Sequence, residues 1–146
     1  MVSELICKTM SISNSKDYPL HLIEHFIESE LPEHILEKSL RTHFYVAEEQ
    51  DNIIGCGAIG PYWGKKDESS LFTVFVLPEY QRKGVGRTII ETLERDEFFL
   101  RVKQIEIPAS ITGVSFYLKM GYDYKNNITE PDGEHLIRLE KFRDIK

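Results

Sequence analysis

Residues 70–90 read SLFTVFVLPEYQRKGVGRTII. The first eight are apolar enough for a central strand covered on both faces. Pro78 stops that strand, because proline cannot donate to a ladder. Beyond the glycines, Ile89, Ile90, Leu93 and Phe98 recur at helical spacing. Between strand and helix lie Gly84 and Gly86, with Arg82, Lys83 and Arg87 around them, in a chain of net charge −6. The first turn of a helix leaves backbone N–H groups without partners, and the aligned peptide dipoles put positive charge there. Glycines let a bulky anion reach those groups. The loop therefore reads as a pyrophosphate cradle, although a bare turn also uses Gly-x-Gly. It is not a Walker loop, since Gly86 is followed by Arg87-Thr88, and it is not a dinucleotide fingerprint, since position 89 is Ile.

Working outward, the 146 residues suit one domain, 1–146, with 41% hydrophobic and 29% charged residues. No apolar run is long enough to span a bilayer, and MVSELICKTM has no signal-peptide core. Cys7 and Cys56 stand far apart without a partner motif, so a reduced cytoplasmic setting is expected. The acidic balance argues against nucleic-acid binding. His21 and His25 are four apart on a helix, but no third ligand accompanies them, so no metal is expected.

Residues 2–9 read as a weakly alternating first strand. Residues 18–28 form one helix, and Pro32 opens a second. HFYVAEE (43–49) and IIGCGAIG (53–60) make a hairpin about Asp51-Asn52. KKDESS is a solvated connection. GRTIIETLERDEFFL should be the longest helix, with Glu94–Glu97 on its wet face. KQIEIPA (103–109) is a strand, and a two-turn helix before Gly121 follows. Tyr122–Lys125 and HLIRLEK (135–141) are the last strands. The pattern implies an α/β sandwich.

The stretch VFVLPEYQRKGVGR resembles the core motif of the GNAT superfamily of N-acetyltransferases. Val76-Leu77-Pro78 matches its V-x-P, and Gln81 to Gly86 matches its Q/R-x-x-G-x-G/A. SITGVSFYLKMGY (110–122) resembles the later motif through Ser110, Phe116, Tyr117, Gly121 and Tyr122, with Gly113 where alanine is usual. The resemblance covers about residues 44–140. It implies a mixed, mostly antiparallel sheet of about seven strands with helices on both faces. The implied order is strand, two helices, three strands, helix, strand, helix, two strands.

The resemblance also implies a reaction: acetyl transfer from acetyl-coenzyme A to a primary amine, by direct attack in a ternary complex. The acceptor would be a small molecule or a protein amino group. Gln81, Arg82, Lys83, Gly84, Val85, Gly86, Arg87 and Thr88 would hold the coenzyme, with Ser110, Phe116 and Tyr117. Val74 would give a backbone N–H to the thioester carbonyl, and Val76 would hold the pantetheine arm. Tyr117 matches the acid that protonates the thiolate, for which a phenol is suited. Some members carry a glutamate as base where Ser70 stands; Glu68, two residues earlier, is a candidate base, and a water chain is another. Glu28 and Glu30, with Tyr62 and Trp63, are candidates for the acceptor site. A rival reading keeps the fold without the catalysis, as a coenzyme A-binding or other phosphate-ligand-binding domain. Members of the family often pair, so a homodimer is compatible.

Overall fold

The computed structural model describes residues 2–28, 30–61 and 68–143. The chain begins with helices α1 (Val2–Ile12), α2 (Leu20–Glu28) and α3 (Pro32–Arg41), then strands β1 (His43–Glu49), β2 (Asn52–Pro61) and β3 (Glu68–Val76). Helices α4 (Val85–Leu93) and α5 (Glu97–Leu100) lead to β4 (Gln104–Ala109), helix α6 (Val114–Lys119), and strands β5 (Asp123–Tyr124) and β6 (Ile137–Phe142). The six strands lie in the order β1-β2-β3-β4-β6-β5. Every pair is antiparallel except β3 with β4. No helix among the described residues is long and apolar enough to cross a membrane.

Helices cover both faces of the sheet. On one face Ile89, Ile90 and Leu93 of α4 join Leu71, Ile105 and Leu139 in the main core. On the other, Leu5, Ile6 and Met10 of α1 pack with Tyr18, Ile23 and Cys56. The β1–β2 hairpin forms, but its turn is Gln50-Asp51 rather than Asp51-Asn52: Glu49 pairs with Asn52, and Gln50 and Asp51 both take positive φ, the conformation a tight hairpin needs.

Several expectations are corrected. Residues 2–9 belong to a helix, not a strand, so the sheet has six strands among the described residues and not about seven. Ser3, Leu5, Ile6, Thr9 and Met10 are the buried set of α1, a spacing that only a helix gathers on one side. The helix after the glycine loop is not the longest, because it ends at Leu93 and α1 is longer, at 11 residues. Asp96 interrupts it by accepting from the Phe98 N–H at 2.8 Å and capping α5.

Nor is Glu94–Glu97 simply a wet face. Asp96 is buried and also accepts from His43 Nδ1 and Tyr45 Oη. Those bonds outweigh the cost of burial and leave its carboxyl below the usual range, while Tyr45 is pushed up to about 12, chiefly by that same bond. Glu94 bonds Lys141 Nζ at 2.7 Å and Tyr122 Oη at 3.1 Å. Finally, Ser69 and Ser70 of the supposed solvated connection are buried in β3. Residues 65–67 lie outside the described residues.

Candidate functional site

The parallel strands β3 and β4 pair only over Glu68–Ser70 and Gln104–Glu106. Beyond that rung β3 continues against β2, and β4 against β6. The two strands part, and a cleft of about 710 Å³ opens between them. Leu71, Val74 and Phe75 line it from β3, Ile107 and Ala109 from β4, and Tyr117 from α6. Met10, Phe26 and Glu30 line it from the side of the first helices.

A bulge shapes the β3 wall. Cys56 faces Phe75 and Ala58 faces Phe72, so Thr73 and Val74 together oppose Gly57. Thr73 holds φ +53°, an uncommon conformation for a β-branched residue, and its carbonyl accepts from Cys56 Sγ at 3.2 Å. The extra residue shifts the strand's alternation. Leu71 before it, and Val74 and Val76 after it, all pack on the main core. At Val76 the carbonyl accepts from Gln81 Nε2 at 2.9 Å and Thr9 Oγ1 at 3.4 Å.

Past β3, Gly84 caps α4 with φ +86°, and nothing lies within 4 Å of where a β-carbon would stand; none of residues 81–88 is among the cleft's lining residues. The backbone there is bare and open. Gly86 has a different reason to be glycine: a β-carbon would come within 3.1 Å of the Phe116 ring. Gln81, Arg82 and Lys83 are exposed, and Lys83 Nζ sits 5.6 Å from the Tyr80 ring centre. Arg87 pairs with Glu91 at 3.4 Å on the helix surface. Val85 is half-buried against the core, and Thr88 Oγ1 donates to the Gly84 carbonyl at 3.0 Å. The predicted loop set is therefore together at the opening of α4.

The second motif closes the opposite wall. Ser110 accepts from the Gly113 N–H at 3.2 Å and starts the turn into α6. Phe116 and Tyr117 meet edge to face, with ring centres 5.3 Å apart. Tyr117 is buried, and burial raises its hydroxyl well above the ordinary phenol range. Its Oη has no hydrogen-bond partner among the described residues, and the residue lines the cleft. Tyr18 ties the wall to the front helices, donating to the His135 carbonyl at 2.7 Å and accepting from the Ile111 N–H at 2.8 Å.

The other candidates divide. Glu30 lines the cleft but is paired with Lys38 at 2.9 Å through both its oxygens, and burial pushes its carboxyl up. Glu28 lies at the exposed end of α2 and Glu68 at the paired end of β3; neither is among the cleft's lining residues. Tyr62 and Trp63 lie outside the described residues. Sequence reading passed over Glu106. It stands in the strand IEI with only 3% of its side chain exposed, and it faces the same side as Ser70, its register partner. A lone acid in an apolar strand was its one signal.

Comparison with known proteins matches the acetyltransferase (GNAT) domain to residues 41–124. Among solved structures, the PaiA N-acetyltransferase from Thermoplasma acidophilum, in complex with coenzyme A, superposes with a TM-score of 0.79 at 20% identity. That match covers 97% of this chain and 91% of the other. A GCN5-related N-acetyltransferase from Rhodopseudomonas palustris gives 0.77 at 17% identity, covering 97% and 88%. A GNAT-family acetyltransferase from Elizabethkingia anophelis with acetyl-CoA bound gives 0.57 at 21%, covering 77% and 83%. At such identities the likeness is one of fold, and it extends over the front helices that the domain match leaves out.

Proposed function

Because the chain belongs to the GNAT family of acetyltransferases, we propose that it moves an acetyl group from acetyl-coenzyme A to a primary amine, by direct attack in a ternary complex. The observation that carries this reading is Tyr117: a phenol without a partner among the described residues, on the wall of a cleft between diverging strands. A phenol is protonated at neutral pH, and a leaving thiolate is basic enough to take its proton.

The residues present fit the coenzyme. Gly84 offers open backbone at a helix start, as a pyrophosphate requires. Arg82, Lys83 and Arg87 add positive charge, and Gln81, Val85, Gly86 and Thr88 complete the loop. Val76 is assigned to the pantetheine arm, and Val74, in the bulge on the cleft wall, to the thioester carbonyl. Phe116 backs the loop at Gly86, and Ser110 starts the helix that carries Tyr117. The coenzyme supplies an activated thioester; the chain orients it and supplies a proton.

The acceptor is a small-molecule amine or a protein amino group, reaching the cleft past the front helices. Both cysteines are free, which agrees with action in the cytoplasm. Thiol release from acetyl-coenzyme A, followed across a panel of amines, tests the reading. Amine-dependent release that Tyr117→Phe abolishes supports it. Tight coenzyme binding with no acetyl transfer to any amine turns the chain into a coenzyme A-binding domain.

A further inference from the structure

A second cavity of about 550 Å³ lies on the sheet face below residues 125–136. Its lining includes Glu106, Lys125, Glu130, Asp132, Leu136 and Arg138, and the last pair also line the cleft. The cavity therefore adjoins the cleft. Glu106 stands at the meeting point, because it shares with Ser70 the last rung before the strands part.

Glu106 is incompletely satisfied. Lys125 Nζ bonds its Oε2 at 2.8 Å. Its Oε1 is buried and has no hydrogen-bond partner among the described residues. Arg138 does not supply one. Its Nε bonds Asp132 at 2.7 Å and its Nη2 bonds Glu134 at 3.2 Å, and its Nη1 stays 3.8 Å from Oε1. A buried carboxylate oxygen without a donor is costly, and a cationic donor satisfies it best. The charged lining holds three acids, Glu106, Glu130 and Asp132, against two cations, Lys125 and Arg138. An anion is disfavoured there. An ammonium brings three donors on one positive charge.

We propose that this cavity receives the ammonium head of an alkylamine acceptor, with Glu106 Oε1 as its partner, so that the acceptor nitrogen is held at the fork where the cleft begins. The proposal deepens the acetyl-transfer reading and rests on it for the word acceptor. The binding itself does not need coenzyme.

The test titrates butylammonium chloride, and separately butanol, into the full chain without coenzyme, for the wild type, Glu106→Gln and Lys125→Met. A short peptide with a single lysine is titrated as well, and coenzyme A binding is measured on each variant. The wild type is expected to bind butylammonium and not butanol. Glu106→Gln should weaken that binding about tenfold or more, the worth of a charge-assisted bond. Lys125→Met should tighten it, since a competing cation is gone; this opposite sign keeps the proposal falsifiable should Glu106→Gln fold poorly. Preference for the peptide over butylammonium supports the site and names a protein side chain as the source of the ammonium. Equal binding by all three proteins, or no discrimination against butanol, overturns it. Ammonium binding without coenzyme binding sinks the acetyl-transfer reading alone, and coenzyme binding without ammonium binding sinks this one alone.

Discussion

Ser70 and Glu106 are partners on the last rung of the parallel ladder, side by side on one face of the sheet, and the cleft begins there, with Ser70 among its lining residues. Ser70 is fully buried, with its hydroxyl 3.2 Å from the Leu71 carbonyl. Ser70→Glu would put a second carboxylate beside Glu106, whose neighbouring cations Lys125 and Arg138 are already paired. It should destabilise the fold by about 3 kcal/mol or more, the usual cost of an unpaired buried charge. Ser70→Ala should stay within about 1 kcal/mol of wild type. Urea unfolding of the two variants distinguishes these outcomes.

The two loop glycines should fail differently. In Gly84→Glu the β-carbon meets no atom within 4 Å, so the main cost is the positive φ, about 1–2 kcal/mol, and the fold survives. Its side chain lies in the proposed pyrophosphate path, so coenzyme binding should be lost. Gly86→Ala pushes on the Phe116 ring and should cost stability first, by about 1–3 kcal/mol, with weakened binding as a consequence. Thermal melts alongside coenzyme titrations separate the two patterns.

Tyr117→Phe should leave stability within about 1 kcal/mol, because the hydroxyl has no partner among the described residues to lose. Turnover should fall about 100-fold or more, as expected for a lost general acid, with coenzyme affinity kept. Because burial raises the folded pKa, the phenol keeps its proton beyond its ordinary value of about 10. The turnover profile of the wild type should therefore show no alkaline loss from this group below about pH 10. A fall centred nearer neutrality that Tyr117→Phe removes would contradict the assignment.

Asp96 supports a prediction about stability rather than activity. It gathers His43, Tyr45 and the α5 N-terminus, and it does not line the cleft. Asp96→Asn should destabilise by about 3 kcal/mol while the folded protein still binds coenzyme. The folded carboxyl is depressed, so its contribution is complete above the unfolded value near 4 and is lost as pH falls through the lower folded value. Tyr45 is raised to about 12, so its share is complete below the unfolded value near 10 and is lost as pH rises toward the folded one. The gap between wild type and variant should be widest from about pH 5 to 9 and narrow on both sides. Melting temperature against pH measures it.

How much of this was legible beforehand depends on how local each signal is. The hairpin 43–61, the strand before Pro78, the loop glycines and the helix before Gly121 all announce themselves through turn residues and periodicity. The N-terminal helix did not, because VSELICKTM alternates weakly enough to mimic a strand; only burial of Leu5 with Thr9, and Ile6 with Met10, settles its period. Asp96 reads as one more acid in a charged run until Tyr45 and His43 arrive from another strand. Glu106 likewise becomes notable only when the register sets it beside Ser70 and the segment from Lys125 to Arg138 folds over it. Both are long-range facts, and a periodic pattern carries none of them.

Acetyl-coenzyme A is proposed to run from the glycine loop into the cleft. Calorimetric titration of the full chain with acetyl-coenzyme A, free coenzyme A and ATP tests it most directly. One site per chain for both forms of the coenzyme, absent for ATP and lost in Gly84→Glu, is the predicted result. Binding of none of the three, or equal binding of ATP, would contradict it.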